Sequence, residues 1–135
     1  MKALDTNVLA RFFVDDEADP EAARQRPAAV AALADRSFVS VTVLLELEWV
    51  LRGFYELTRQ QVSRVLRALT GIEHITLEDR SEVLVALDAM DRGLDFADAL
   101  HLARSARANA FLTFDRRLAR RAGAVEGLLP IQLLA

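Results

Sequence analysis

Four acidic residues stand at positions where carboxylates can act together: Asp5, Glu46, Asp98 and Asp115. Asp5 follows a very short N-terminal run that is typical of a strand, and Asp115 follows the strand-like run FLT. The carboxyl ends of parallel strands lie on one edge of a sheet, where α/β proteins bind ligands. Asp98 falls in the first turn of a predicted helix, and Glu46 falls one to two turns into the helix that leaves the second strand. We therefore expect all four side chains to point at the same edge.

The clustered carboxylates predict a hard metal ion, because like charges repel unless a cation neutralises them. A set of oxygen ligands favours Mg²⁺ or Mn²⁺ over zinc. Such an ion polarises a phosphoryl oxygen and lowers the pKa of a bound water, which is the chemistry of phosphodiester hydrolysis. The chain has no cysteine, and neither histidine lies in a nucleophile motif, so no Ser-His-Asp or Cys-His arrangement competes.

Each acid also has a purely structural interpretation. Asp5 and Asp98 stand at helix starts, where aspartate commonly caps a helix. Asp95 is the natural cap of the helix that contains Asp98, which leaves Asp98 without a structural task. Asp115 is placed to cap the last helix. The helix that carries Glu46 also carries Glu48, and helical angles do not choose between them.

Several polar residues near the acids have two interpretations as well. Thr6, Asn7 and Thr113 are ordinary turn or capping residues, but beside a metal they would hydrogen-bond the ligating carboxylates. His101 follows Asp98 by one helical turn, and we expect it to pack or to form a hydrogen bond, because a hard-oxygen site has little use for imidazole.

A basic cluster follows the last acid. It is either a solvated face that favours the helix dipole at its C-terminal end or a patch that binds RNA phosphates. The run GFY at residues 53–55 is either a corner of the core or a stacking surface for an unpaired base. The cluster consists of Arg116, Arg117, Arg120 and Arg121.

The composition is that of one domain over residues 1–135, long enough to bury a core without staples. The net charge of −3 excludes a globally basic nucleic-acid binder. No run approaches the roughly 18 apolar residues that a membrane span needs, and the N-terminus lacks a signal-peptide layout. With no cysteine present, we expect a cytoplasmic protein without contact to a membrane.

Strand-like and helix-like segments alternate along the chain, which predicts an α/β fold with a mostly parallel sheet. The helix at 41–52 is nearly all apolar, so we expect it to be buried on most sides. Pro27 lies inside the second helix and is expected to kink or split it. We predict strands ending near Leu4 and at 37–40, 72–77, 110–113 and 129–134, and helices at 7–13, 20–35, 41–52, 58–69, 79–90, 95–108 and 116–122.

Four motifs occur in order over the length of the chain. They are LDTNVLAR at residues 4–11, LELEWVL at 45–51, DFADAL at 95–100 and LTFDR at 112–116. Together they resemble the PIN-domain nucleases and, within these, the VapC-type ribonuclease toxins of bacterial toxin–antitoxin pairs. The one departure is Asn109, near a position where the family often has glycine; asparagine also tolerates the left-handed conformation.

The resemblance implies a three-layer fold with a central sheet of four or five mostly parallel strands flanked by helices. It places Asp5, Glu46, Asp98 and Asp115 at the four acidic positions and favours Glu46 over Glu48. It also implies a Mg²⁺- or Mn²⁺-dependent endoribonuclease that forms a homodimer. A cognate antitoxin commonly inhibits such enzymes by placing a basic segment in or near the acidic pocket.

Two other functions remain open from the sequence. A PIN-like nuclease in RNA processing or DNA cleavage has the same acids without a toxin role, and a small upstream reading frame for an antitoxin would distinguish the two. A receiver-like signalling module also gathers acids at a sheet edge. That fold generally relies on a lysine near its C-terminal strand, whereas Lys2 is the only lysine here.

Overall fold

Five short parallel strands form the sheets of the structure, a computed structural model that describes residues 1–135. The first three form one sheet in the order β1-β2-β3, with Lys2 opposite Ser37 and Ser37 opposite Ile75. The last two pair with each other, with Phe111 opposite Ile131. The strands are β1 (Lys2–Ala3), β2 (Ser37–Val39), β3 (Ile75–Leu77), β4 (Phe111–Thr113) and β5 (Ile131–Leu133).

Seven helices separate these strands, so the predicted α/β class with parallel strands is confirmed. The hydrogen-bonded pairing differs in one respect from the prediction: it divides the five strands between a three-stranded and a two-stranded sheet. The helices are α1 (Thr6–Phe13), α2 (Pro20–Ala34), α3 (Val41–Gly53), α4 (Arg59–Thr70), α5 (Arg80–Asp91), α6 (Phe96–Arg104) and α7 (Arg116–Gly123).

The N-terminal unit comprises Met1–Arg80 and contains the three-stranded sheet with α1 to α4. Within it α1 packs against α2 and α3, and α3 packs against α4. Its helices start at strong capping signals. The Asp19 side chain accepts hydrogen bonds from the backbone N–H groups of Glu21 and Ala22, and Pro20 occupies the first helical position. The core of this unit includes the fully buried Leu9, Leu44, Leu47, Leu51 and Leu66.

The C-terminal unit comprises Ser81–Ala135 and contains the two-stranded sheet with nearly all of α5 and with α6 and α7. Here α7 packs against β5. Gly93 stands between α5 and α6 at a φ of +111°, which a residue with a Cβ rarely adopts. This glycine allows the chain to leave α5 and to start α6 three residues later. The core residues of this unit include Val83, Leu87, Phe96, Leu100, Leu102 and Leu118.

Three structural predictions were wrong in detail. Pro27 does not split the second helix, since α2 runs unbroken from Pro20 to Ala34. Residue 27 lacks the N–H that would reach the carbonyl of Ala23, but Ala23 and Pro27 are both exposed, so water can satisfy that carbonyl. The helix predicted to run to residue 108 ends at Arg104 in a turn, and the third strand begins at Ile75, not at residue 72.

The third helix is less buried than its apolar composition predicted. Leu44, Leu47 and Leu51 are fully buried on one face, but Trp49 is 62% exposed. The apolar stripe thus covers one side of α3, and the opposite side faces solvent. None of the seven helices has the length and apolar character needed to cross a membrane.

The N-terminus of α4 allows a stability test. The Thr58 hydroxyl accepts a hydrogen bond from the Gln61 N–H while the Gln61 side chain accepts one from the Thr58 N–H. This is a reciprocal capping box. We expect Thr58→Ala to lower the free energy of unfolding by about 1 kcal/mol, measured by urea denaturation. The neighbouring exposed Gln60→Ala is the control, and a change of more than about 0.5 kcal/mol there would contradict the assignment to the cap.

Candidate metal centre

Asp5 occupies the N-cap position of α1, but its side chain does not cap the helix. Its backbone is extended, and its carbonyl accepts from the N–H groups of Val8 and Leu9. Its carboxylate makes no capping hydrogen bond and is exposed. Aspartate at this position ordinarily caps the helix. The Asp5 carboxylate therefore remains available for another partner.

The adjacent residue connects α1 to the acidic helix α3. Thr6 is 3% exposed, and its hydroxyl donates a hydrogen bond to the carboxylate of Glu46. The two residues are 40 positions apart in the sequence. This contact holds the exposed Glu46 side chain beside the start of α1, where Asp5 lies. The hydrogen bond therefore links the Glu46 side chain to the first residue of α1, which follows Asp5 in the sequence.

Glu48 has a different environment from Glu46. It is 2% exposed, and its carboxylate forms an ion pair with the Arg52 guanidinium, with 3.0 Å between Oε2 and Nε. Arg52 is one helical turn along α3, the spacing at which side chains on a helix meet. A buried carboxylate needs such a partner. Glu48 therefore has a structural task, whereas Glu46 is exposed and forms no ion pair.

Asp98 lies in the first turn of α6 and is half-buried. Burial raises the pKa of its carboxyl above the ordinary value, and the negative charges of Asp95 and Asp115 raise it further. His101, one turn along the helix and exposed, lowers this pKa. Mutual repulsion between these carboxylates is the environment that a cation would relieve.

Asp95 and Asp115 differ from each other as helix caps. Asp95 occupies the predicted N-cap position of α6, and its carbonyl accepts from the Ala99 N–H, but its side chain makes no capping hydrogen bond. Asp115 does cap α7, since its Oδ1 accepts from the N–H groups of Arg117 and Leu118 at 2.9 and 3.0 Å. Thr113 accepts a hydrogen bond from the Asp115 N–H at 2.9 Å. Backbone contacts thus fix the position of Asp115.

The arginines of α7 divide into two pairs. Arg120 and Arg121 lie in the last turn, where a cation is favoured by the helix dipole, and Arg121 donates to the carbonyl of Gly93. Arg116 and Arg117 lie in the first turn, where the dipole disfavours a positive charge by roughly 0.3–1 kcal/mol each. Both are exposed and form no ion pair. Helix stability alone therefore does not explain the first pair.

Asn7 is exposed on α1 and lines a cavity of about 280 Å³ between α1 and α2. Arg11 crosses this cavity: its Nε donates to Gln25 Oε1 at 3.0 Å and its Nη1 donates to the Tyr55 hydroxyl at 2.9 Å. The Arg11 side chain is thereby held in place by α2 and by the segment after α3.

Two residues near the acids were not expected from the sequence to matter there. Asp95 was taken as a cap, yet its charge acts on Asp98. Trp49 was assigned to a buried helix, yet it is exposed. Its position could have been recognised, because Thr42, Glu46 and Trp49 follow one another at helical spacing along one face of α3.

Each unit contributes two of the four predicted acids, Asp5 and Glu46 from the N-terminal unit and Asp98 and Asp115 from the C-terminal unit. Within neither unit do three or more acids and histidines form a complete ligand group for a metal ion. The convergence of all four acids remains a prediction.

Comparison with known proteins assigns the chain to a family. The family profile for the PIN domain matches residues 2–124 and so covers most of both units. A search of curated proteins found no match. PIN domains are typically nucleases, and they generally use divalent metal ions.

The different environments of the two glutamates of α3 predict different effects on stability. We expect Glu48→Gln to lower the free energy of unfolding by about 1.5 kcal/mol, because it weakens charged hydrogen bonds to a half-exposed arginine. Glu46→Gln keeps an oxygen that accepts from Thr6, so the change there should stay below about 0.5 kcal/mol. Urea denaturation of both variants measures the free energy of unfolding. Equal losses in the two variants would contradict the structural role assigned to Glu48 alone.

The pKa of Asp98 predicts a pH-dependent change in stability. Because this pKa is raised in the folded chain, ionisation of Asp98 destabilises the fold as pH rises above the ordinary value of 3.8 and through the folded pKa. In EDTA, Asp98→Asn should therefore raise the melting temperature at pH 7, and the gain should shrink as the pH falls towards 3.8. Thermal denaturation across pH measures this. A gain in melting temperature for Asp98→Asn that is as large near pH 3.8 as at pH 7 would contradict the raised pKa.

Proposed function

Because the chain belongs to the PIN domain family, we propose that it is a metal-dependent endoribonuclease and the toxin of a toxin–antitoxin pair. Family membership supports the nuclease activity. The ribonucleotide substrate, the dependence on Mg²⁺ or Mn²⁺ and the toxin role are the finer parts of the proposal. They rest on the motifs of the sequence and on the environments of the acids.

The observation that carries the proposal is the hydrogen bond from Thr6 to Glu46. It joins the start of α1 to the middle of α3. Glu46 and Asp5, the residue before Thr6, are both exposed and form no ion pair. No structural role accounts for both, since Asp5 does not cap its helix and Glu46 does not neutralise a cation. Carboxylates placed in this way are suited to bind a metal ion.

The donor set fits a hard divalent cation. The four proposed ligands Asp5, Glu46, Asp98 and Asp115 supply carboxylate oxygens only, and the chain has no cysteine. Oxygen donors favour Mg²⁺ or Mn²⁺. The bound ion would supply positive charge that stabilises the negative charge developing on the phosphate during hydrolysis.

Hydrogen bonds within the chain orient the proposed metal ligands, and helix N-termini stabilise their negative charge. Thr6 fixes Glu46 through its hydroxyl, and the backbone N–H groups at the start of α7 fix one oxygen of Asp115. Asp5, Asp98 and Asp115 all lie at helix N-termini. The partial positive charge at a helix N-terminus stabilises an ionised carboxylate. At Asp98 it therefore opposes the burial and the carboxylate repulsion that raise the pKa of this residue.

The proposed RNA contact uses Arg116, Arg117 and Arg120. All three are exposed on α7 and form no ion pair. Arginine side chains bind phosphates through forked hydrogen bonds, and the resulting affinity falls with salt. The unfavourable position of Arg116 and Arg117 at a helix start supports a binding role over a purely structural one.

The partners of the proposed toxin follow from the resemblance and from the charge of the site. A cognate antitoxin with a basic segment would inhibit the enzyme, since an acidic pocket attracts an arginine as well as a metal. We further propose a homodimer of single-domain protomers in the cytoplasm. A PIN nuclease of RNA processing or DNA cleavage remains the alternative. The family match gives no support to a receiver-like module.

Loss of single carboxylates tests the nuclease. We expect Asp5→Asn, Glu46→Gln and Asp98→Asn each to lower Mg²⁺-dependent RNA cleavage at least about 100-fold, because each removes charge and a ligand from the metal. EDTA should abolish cleavage by the wild type, and Mn²⁺ should restore it. Gel assays on labelled RNA, with melting curves to verify folding, measure this. Glu48→Gln is the matched control and should retain activity. Undiminished cleavage by Asp5→Asn or Asp98→Asn would overturn the assignment.

Expression in cells tests the toxin role separately. The wild type should arrest growth, the Asp98→Asn variant should not, and co-expression of a small DNA-binding protein encoded upstream should restore growth. RNA cleavage without growth arrest would favour the processing nuclease. Sequencing of cleaved RNA ends after brief expression would identify the target.

A further inference from the structure

The indole of Trp49 is the least expected feature of α3. It is the only tryptophan of the chain and is 62% exposed, while the leucines on the opposite face of the same helix are fully buried. Tryptophan has the largest apolar surface of any side chain, and leaving it in water forgoes the stabilisation that burial would bring. The exposed ring is therefore available to a ligand that covers it.

Trp49 shares a helix face with a proposed catalytic acid. Glu46 and Trp49 are three residues apart on α3, a spacing that places their Cβ atoms about 5–6 Å from each other. Both are exposed, and so is Thr42, one turn earlier on the same face. A molecule that reaches the Glu46 carboxylate is thus within reach of the indole ring.

The surroundings of Trp49 suit a nucleic acid. The nearest buried acid, Glu48, is paired with Arg52, so its negative charge is offset and does not repel a phosphate. The exposed indole has a flat π face that stacks on any base. A base within a duplex is already stacked on its neighbours, whereas an unpaired base is free to stack on a protein ring.

We propose that Trp49 binds an unpaired base of single-stranded RNA next to the phosphate that is cleaved. The inference rests on the proposed ribonuclease function and deepens it, because it assigns a nucleobase-binding residue to the proposed site. Trp49 acts in binding and takes no part in the chemistry.

Phe54, the residue directly after α3, tests the alternative that residues 53–55 form the stacking surface. It is 69% exposed and contacts Tyr55 edge-to-face, with 4.9 Å between ring centroids. It lies eight residues from Glu46, about 12 Å along the helix axis. A base that stacks on Trp49 next to Glu46 therefore does not also cover Phe54, and loss of RNA binding in Phe54→Ala but not in Trp49→Ala would assign the stacking to residues 53–55 and overturn the inference. Phe54→Ala thus removes as much exposed aromatic surface without touching the proposed subsite.

The single tryptophan gives a direct measurement of binding. In EDTA, where the RNA is not cleaved, titration with a decamer of adenylate should quench the fluorescence of Trp49, and an adenylate–uridylate duplex of equal length should not. Anisotropy of the labelled decamer should give a Kd about tenfold higher for Trp49→Ala, within the range for loss of one stacked base. Trp49→Phe should recover most of the affinity, and Phe54→Ala should match the wild type.

Kinetics with Mg²⁺ separate the two hypotheses. If the wild type cleaves single-stranded RNA, Trp49→Ala should raise KM about tenfold and leave kcat within about twofold, because stacking contributes equally to substrate and transition state. Two results would overturn the role of Trp49 and leave the proposed function standing. In both the wild type cleaves RNA, but either KM is unchanged in Trp49→Ala or RNA does not quench the Trp49 fluorescence. No cleavage by the wild type would overturn the proposed function.

Oligomer measurements test the main competing explanation of the exposed ring. If Trp49→Ala converts a dimer to a monomer, and the fluorescence changes with protein concentration but not with RNA, the ring belongs to a protein interface and the inference is wrong. An unchanged oligomeric state in Trp49→Ala, with weakened RNA binding, supports it. Circular dichroism of each variant verifies that the fold is retained.

Discussion

Repulsion between carboxylates is the physical constraint on which the candidate site depends. Burial raises the pKa of the Asp98 carboxyl, and repulsion by Asp95 and Asp115 raises it further. Charges gathered in this way weaken a fold unless something offsets them. A bound cation would offset this repulsion. The same cation is the one proposed to act in the hydrolysis of RNA.

Within each unit, the fold stabilises the proposed ligands before any cation binds. Three of the four proposed ligands lie at helix N-termini, where the dipole favours negative charge. The buried hydroxyl of Thr6 holds Glu46, and backbone N–H groups hold one oxygen of Asp115. By contrast, Glu48 is neutralised by Arg52 within its own helix. Two glutamates two residues apart therefore have different tasks, one structural and one proposed to be functional.

The local patterns predicted most of the elements of this fold. Cap residues and apolar spacing located the seven helices, because these signals act over one or two helical turns. The exceptions have local causes too. Pro27 is tolerated within α2, where Ala23 and Pro27 are both exposed, and the predicted sixth helix ends four residues early, in a turn after Arg104. The separation of five strands into two sheets depends on pairing between distant segments, which local patterns do not encode.

The sequence alone determined the identity of the four acids, the absence of sulfur ligands and the order of the four motifs, because these depend on residue type and spacing. Only the tertiary structure decided how each acid is used. It left Asp5 and Asp95 without capping bonds, made Asp115 a cap, and distinguished Glu46 from Glu48 by burial and by contact with Thr6. It also exposed Trp49. Burial and hydrogen bonding depend on which segments pack against a residue, and those neighbours come from parts of the chain up to 40 residues away.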